Sequence, residues 1–303
     1  MSDYPKHVDL VEIGPRDGFQ SAREFIPTQT KKKVIDMLVA ARCKKIQATS
    51  FVNPKAIPQM SDAAEVGGYA LKTYPGTAFY ALTPNARGVQ NAVAAGFDEV
   101  SYVISVSKGH NMANVRRTPD ESFADLAAIR EANPTLSIVL DAATVFGCPF
   151  DGEVTVEQVV DYLKKADALG IKSVDLCDTI GIADPLQVER VVKTVLNDFP
   201  NISFGIHIHD TRNMGMVNSL TAVRCGIGRV SATVGGMGGC PFAPGASGNT
   251  ASEDFVYMMD RMGIDTGVDF EKLLETSRFL KENVPATYSG HHMNIAPKQC
   301  VMG

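Results

Sequence analysis

The chain has 303 residues, 45% of them hydrophobic, and a formal net charge of −5 at pH 7. That length supports one large barrel or two ordinary domains. The mild acidity gives no electrostatic reason to expect nucleic acid or a membrane surface as partner. The first residues, M-S-D-Y-P-K-H, form neither an apolar nor an Arg-rich leader, and no run of about 18 apolar residues occurs. A soluble, cytoplasmic protein is therefore expected.

Taken in chain order, strand-like runs alternate with helical segments. A run at 8–14 precedes a helix near 28–42, 45–51 precedes 60–73, 78–84 precedes 85–96, and 99–105 precedes 119–133. The second half repeats the scheme: 136–143 with 155–170, 173–180 with 184–199, 203–211 with 214–226, and 229–236 with 249–262. Thr118-Pro119-Asp120-Glu121 and Ala183-Asp184-Pro185 carry the punctuation of helix starts. Runs such as S-I-V-L and S-F-G-I are mostly apolar, as parallel strands covered on both faces should be. Eight β/α units in about 260 residues fit a (β/α)₈ TIM barrel better than an open doubly wound sheet. A helix near 269–283 and an irregular tail follow as a short C-terminal extension. The expected organisation is one catalytic domain over 1–303, with the barrel at about 8–265 and the helix and tail at 266–303.

The working face of such a barrel is the C-terminal end of its strands, and polar residues gather there. Asp17 follows strand 1, Thr49-Ser50 end strand 2, and Asp178 ends strand 6. Strand 7 carries I-H-I-H-D. Alternation with period 2 puts His207 and His209 on one face, directed at the axis if that face is the lumen. Two imidazoles with a carboxylate from Asp17 suit Mg²⁺ or Mn²⁺, with Zn²⁺ as a further option. A salt bridge from Asp17 to Arg16 is the competing reading, weighed lower because adjacent residues rarely pair.

The stretch 235–249, G-G-M-G-G-C-P-F-A-P-G-A-S-G-N, has six glycines and two prolines in fifteen residues. It reads as a loop able to approach a ligand closely. Cys240 at its centre is a candidate acid or base. The other five cysteines, at 43, 148, 177, 225 and 300, read as reduced thiols, since no C-x-x-C or disulfide framework is present; Cys300 alone is open to an intersubunit bridge. Asn249 either caps the next helix or reaches the metal.

With these residues assembled, the chain resembles the 3-hydroxy-3-methylglutaryl-CoA lyase family of the DRE-TIM metallolyases. The resemblance covers about residues 8 to 283 and is carried by V-E-I-G-P-R-D-G-F-Q, A-T-S-F-V-N-P-K-A-I-P-Q-M, L-T-P-N, D-T-I-G, H-I-H-D-T and G-G-C-P-F-A-P-G-A-S-G-N-T-A-S-E-D. It implies a divalent metal held by Asp17, His207, His209 and Asn249, catalytic roles for Arg16 and Cys240, and supporting roles for Asp178 and Glu253. Arg16, Gln20, Gln47, Ser50 and Asn114 are the expected substrate-binding positions. The implied reaction is retro-aldol cleavage of 3-hydroxy-3-methylglutaryl-CoA to acetyl-CoA and acetoacetate. Arg16 faces the thioester oxygen and Cys240 protonates the acetyl-CoA carbanion. Asp178, or water reached through His207 or His209, takes the hydroxyl proton. The implied partner is an acyl-CoA, and a homo-oligomer, dimer or higher, is expected.

Two departures stand out. The family pattern has Glu where this chain has Gln47, which carries no charge. In the loop after strand 4, Lys108 and Arg116 replace an acid and an amide, a change that suits a more acidic acyl group unless both residues face solvent. The alternatives are a lyase for a relative such as citramalyl-CoA, a condensing acyltransferase of the same superfamily, and a non-catalytic barrel that binds a CoA ester.

Overall fold

The computed structural model describes residues 4–239 and 248–295. Its eight strands are β1 (Asp9–Glu12), β2 (Lys45–Ser50), β3 (Ala78–Thr83), β4 (Glu99–Ser105), β5 (Ser137–Ala143), β6 (Ser173–Asp178), β7 (Ser203–Ile208) and β8 (Arg229–Ala232). They form a closed parallel barrel in sequence order. Closure is made by β1 against β8, with Asp9 opposite Arg229 and Glu12 opposite Ala232. Strand interiors such as Val139–Ala142 are buried because lumen and helix layer cover opposite faces.

The helices are α1 (Thr28–Ala40), α2 (Ala63–Thr73), α3 (Ala86–Ala94), α4 (Lys108–Val115), α5 (Pro119–Ala132), α6 (Val156–Ala168), α7 (Pro185–Asp198), α8 (Gly215–Arg224), α9 (Ser252–Arg261) and α10 (Phe270–Asn283). Both sequence-marked starts are capped. Thr118 Oγ1 accepts from the Glu121 amide at 3.2 Å, while Glu121 Oε2 accepts from the Thr118 amide at 2.7 Å, a reciprocal box. Asp184 Oδ1 accepts from the amides of Leu186 and Gln187 at 2.8 and 3.0 Å. α10 packs against both α1 and α9.

The segment after β4, expected as a loop, is instead the two-turn helix α4. It ends where Arg116 turns left-handed at φ 57°. Asn111 secures it, its Oδ1 accepting from the Ser105 amide at 2.8 Å and its Nδ2 donating to Ser122 Oγ at 2.9 Å. Those contacts come from β4 and α5, so local periodicity carried no sign of them. Strand 1 is also shorter than its apolar run: Gly14–Gly18 coil into one wide helical turn. Gly14 is required there, because a Cβ would lie 2.6 Å from Glu12 Oε1 and 3.0 Å from Val234 Cγ1. Among the described residues Cys43, Cys148, Cys177 and Cys225 are free thiols; Cys240 and Cys300 lie outside them.

Candidate active site at the barrel mouth

The wide turn after β1 places Arg16 and Asp17 at the C-terminal end of the barrel. They line a cavity of about 510 Å³ together with Gln20, Asn53, Asn114, Arg116, Asp141, His207 and His209. His207 and His209 stand on one face of β7 and its continuation, their rings 5.1 Å apart. One ligand atom from each of Asp17, His207 and His209 falls within 4.8 Å of the others.

Asn249 completes this group. It does not cap α9, whose cap position is Ala251. The strand-like segment 248–251 is laced between β7 and β8 instead: Asp210 N donates to Gly248 O at 2.9 Å and Thr233 N to Thr250 O at 3.1 Å. This holds Asn249 Oδ1 2.7 Å from His207 Nε2, while its Nδ2 donates to Asp17 Oδ2 at 2.6 Å. Gly238, at φ 145°, passes so close that a Cβ would lie 2.4 Å from Asn249 Nδ2.

The electrostatics suit a cation. Burial pushes the Asp17 carboxyl up, but Arg16, His207, His209 and the Asn249 amide pull it down to about 2. Burial, reinforced by His207, pushes His209 down to about 4, so its ring is neutral at pH 7. His209 Nδ1 is buried without a hydrogen-bond partner among the described residues. A neutral imidazole with an idle nitrogen, a second imidazole and an ionised carboxylate are the donors a divalent ion takes, and the residues fit such an ion.

Asp17 also pairs with Arg16, against the expectation that neighbours do not. Arg16 Nη1 donates to Asp17 Oδ1, leaving Oδ2 for Asn249. The wide turn brings the two side chains onto the same side, so the ion pair and the metal cluster share one carboxylate. Arg16 Nε donates to Gln47 Oε1. Gln47 thus stands behind Arg16 and is absent from the cavity lining. Ser50 is also buried away from the lining, its Oγ without a partner among the described residues. Gln20 and Asn114 do line the cavity, as does Arg116. Lys108 lies apart, in a surface groove with Asp151 and Lys165.

Asp178 and Glu253 do not line the cavity. The Asp178 oxygens accept from the amides of Ile182 and Ala183 at 3.0 Å each, so the carboxylate fastens its own loop. Burial pushes its pKa up and those amides pull it back. Glu253 sits beneath the start of the glycine-rich loop, Oε2 accepting from Gly235 N at 2.9 Å. Burial pushes it up to about 8. Cys240 lies outside the described residues.

Glu12 and Asp141 are among the barrel-interior acids that escaped the sequence reading. Glu12 is fully buried and accepts from Gly14 N at 2.7 Å and Val234 N at 3.0 Å, and from Ser252 Oγ at the start of α9 at 2.5 Å. It thereby ties the ends of β1 and β8 to α9. Asp141 lines the cavity. Each acid is flanked by apolar residues within a strand run, V-E-I and L-D-A, and that was the available signal.

A closed parallel barrel with an Asp–His–His–Asn cluster beside a buried arginine defines a class: TIM-barrel proteins built for divalent-metal chemistry at the strand ends. The chain belongs to the HMGL-like family, whose model matches residues 7–280. It is 40% identical over 282 residues to mitochondrial hydroxymethylglutaryl-CoA lyase of Mus musculus, covering 92% of this chain and 86% of that one. The crystal structure of Bacillus subtilis HMG-CoA lyase superposes with a TM-score of 0.92 at 38% identity, covering 97% of this chain and 98% of that one. An HMG-CoA lyase from Acinetobacter baumannii, solved with coenzyme A and 3-methylmalate, matches with a TM-score of 0.89 at 37% identity over 96% and 98% of the two chains. Among the described residues no helix is long and apolar enough to cross a membrane.

Proposed function

We propose that this protein is a metal-dependent acyl-CoA lyase that cleaves 3-hydroxy-3-methylglutaryl-CoA to acetyl-CoA and acetoacetate. One observation carries the reading: Asp17, His207 and His209 converge beside Arg16 on the cavity wall, with the buried Asn249 bridging Asp17 and His207. The relatives named above support it. A bound Mg²⁺ or Mn²⁺ lowers the pKa of the substrate's tertiary hydroxyl.

The chain's own residues do the rest. Arg16 is buried and held from two sides by Asp17 and Gln47, so its guanidinium is preorganised for the thioester oxygen as negative charge develops there. The C2–C3 bond breaks, and its electron pair passes to the thioester as an enolate. Cys240 donates the proton that completes acetyl-CoA. Asp178 does not line the cavity, so the hydroxyl proton leaves by way of water reached through His207 or His209, and Asp178 holds the 179–183 loop. Glu253 anchors the glycine-rich loop at Gly235. Gln20 and Asn114 contact the acyl-CoA from the cavity wall. Barrel and C-terminal extension act as one catalytic unit, in a cytoplasmic homo-oligomer.

The test is acetyl-CoA release from hydroxymethylglutaryl-CoA by chelator-stripped protein, with Mg²⁺ or Mn²⁺ restored. Metal-independent release, or none with either ion, overturns the proposal. Cys240→Ser is expected to retain Mn²⁺ and lose turnover; unchanged turnover removes its acid role. The cationic Arg116 on the cavity wall favours a second reading, a more compact acidic acyl group as in citramalyl-CoA. Relative kcat/KM for the two thioesters decides between them.

A further inference from the structure

The barrel interior contains a directed hydrogen-bond chain of which the lyase chemistry above uses only the first link. Its first link runs from Arg16 Nε to Gln47 Oε1. A guanidinium only donates, so Gln47 must turn its oxygen to Arg16 and its amide nitrogen away. That nitrogen donates to Ser101 Oγ at 2.9 Å. Ser101 therefore accepts from Gln47 and keeps its own proton for another partner. It presents its hydroxyl to the Asp141 carboxyl, favouring the ionised form. Each residue comes from a different element: the turn after β1, then β2, β4 and β5.

Asp141 is a demanding residue to place there. It is 9% exposed, and Oδ2 has no hydrogen-bond partner among the described residues. Burial and the neighbouring Asp175 push its carboxyl up, while Arg16 pulls it down. Asp175 has its own cation, Arg229 Nη2 at 2.6 Å, and Asp17 has Arg16. No direct ion pair to Asp141 occurs among the described residues. A buried carboxyl so placed is costly unless the surrounding polar groups are arranged for it.

We infer that Asp141 is a positioning residue for Arg16, acting through Ser101 and the amide of Gln47. Gln47 is then the neutral relay between a cation on β1 and a carboxylate on β5, rather than a carboxylate lost from β2. A glutamate at this position has acceptors at both ends. It takes the Ser101 proton, strands Asp141, and adds a further acid to the interior. The amide of Gln47 and the acid of Asp141 are therefore a matched pair.

The inference rests on the lyase reading, and a double-mutant cycle separates the two. Gln47→Glu and Asp141→Asn are each expected to lower kcat by about 10-fold or more. The double variant should return to within about 3-fold of the parent, because residues in one network couple strongly. KM is expected to move less than kcat. Additive losses, or unchanged kcat in Asp141→Asn, overturn the relay. Ser101→Ala breaks the middle link without changing charge and serves if the Gln47→Glu variant fails to fold; full turnover in Ser101→Ala also overturns the relay. If the parent protein cleaves no hydroxymethylglutaryl-CoA, the lyase reading fails, and the same cycle read in melting temperatures still decides the coupling: compensation supports the relay and additivity overturns it.

Discussion

Asn249 Oδ1 lies 2.7 Å from His207 Nε2, and its segment is held beside the strand of His207 by Asp210 N donating to Gly248 O at 2.9 Å. The same side chain donates to Asp17 at 2.6 Å, so Asn249 joins the β1 and β7 sides of the cluster. Asn249→Ala is expected to weaken Mn²⁺ binding by about 10–100-fold, the range for removing a group that orients metal ligands. His209→Ala is expected to abolish it. Titration calorimetry on chelator-stripped protein reads both; wild-type affinity in His209→Ala would remove the metal site.

Arg16 is held by a carboxylate and an amide oxygen through two different nitrogens. A lysine offers a single point of charge and cannot make both contacts in that geometry. Arg16→Lys is expected to lower kcat by about 10²–10³-fold, the usual loss for a preorganised oxyanion donor. Mn²⁺ affinity should stay near wild type, because Asp17 remains. Steady-state kinetics beside metal titration checks the separation.

Glu253 gives a pH dependence of stability. Burial raises its folded pKa to about 8 from an ordinary value of 4.5, so the folded state holds a proton that the unfolded state releases. Stability is then unaffected below pH 4.5, falls as pH rises towards 8, and levels off above that. Glu253→Gln removes the ionisation and is expected to stabilise the protein by about 1–3 kcal/mol near pH 9, with no gain from this source near pH 4.5. Thermal melts at both pH values test this; a gain of equal size at each contradicts it.

Ser289, in the C-terminal extension, places its hydroxyl 3.2 Å from Gly236 O and 3.1 Å from Asn249 O. Those carbonyls flank the glycine-rich loop on its two sides, so one hydroxyl braces both of its ends. Ser289→Ala is expected to cost about 1 kcal/mol in urea denaturation, the typical value of one such bond. Turnover should fall several-fold with little change in substrate KM. A variant with full turnover would show that the brace is dispensable.

Much of the site was legible because its signals are local. His207 and His209 share a face by strand period alone, and R-D-G after an apolar run marked a strand end. Glu12 and Asp141 left a weaker mark, an acid between apolar strand residues, which does not say whether it faces helices or lumen. The α4 helix left none: its polar sequence is held by Asn111 reaching β4 and α5. Asp178 shows the opposite situation. A carboxylate at the end of a barrel strand invites a catalytic reading, yet its partners are amides four and five residues on.

The sequence by itself determined the alternation of strand and helix, hence the barrel, and the residue types that gather at the strand ends. These follow from side-chain periodicity and from turn chemistry acting over a few residues. Only the tertiary structure decided who touches whom. Asp17 and Asn249 are 232 positions apart and meet because β1 closes on β8. Gln47 turned from a missing acid into a bridge because Arg16 reaches it from the end of neighbouring β1 and Ser101 from β4, two strands away. Hydrogen-bond directionality, given that geometry, left its amide one orientation.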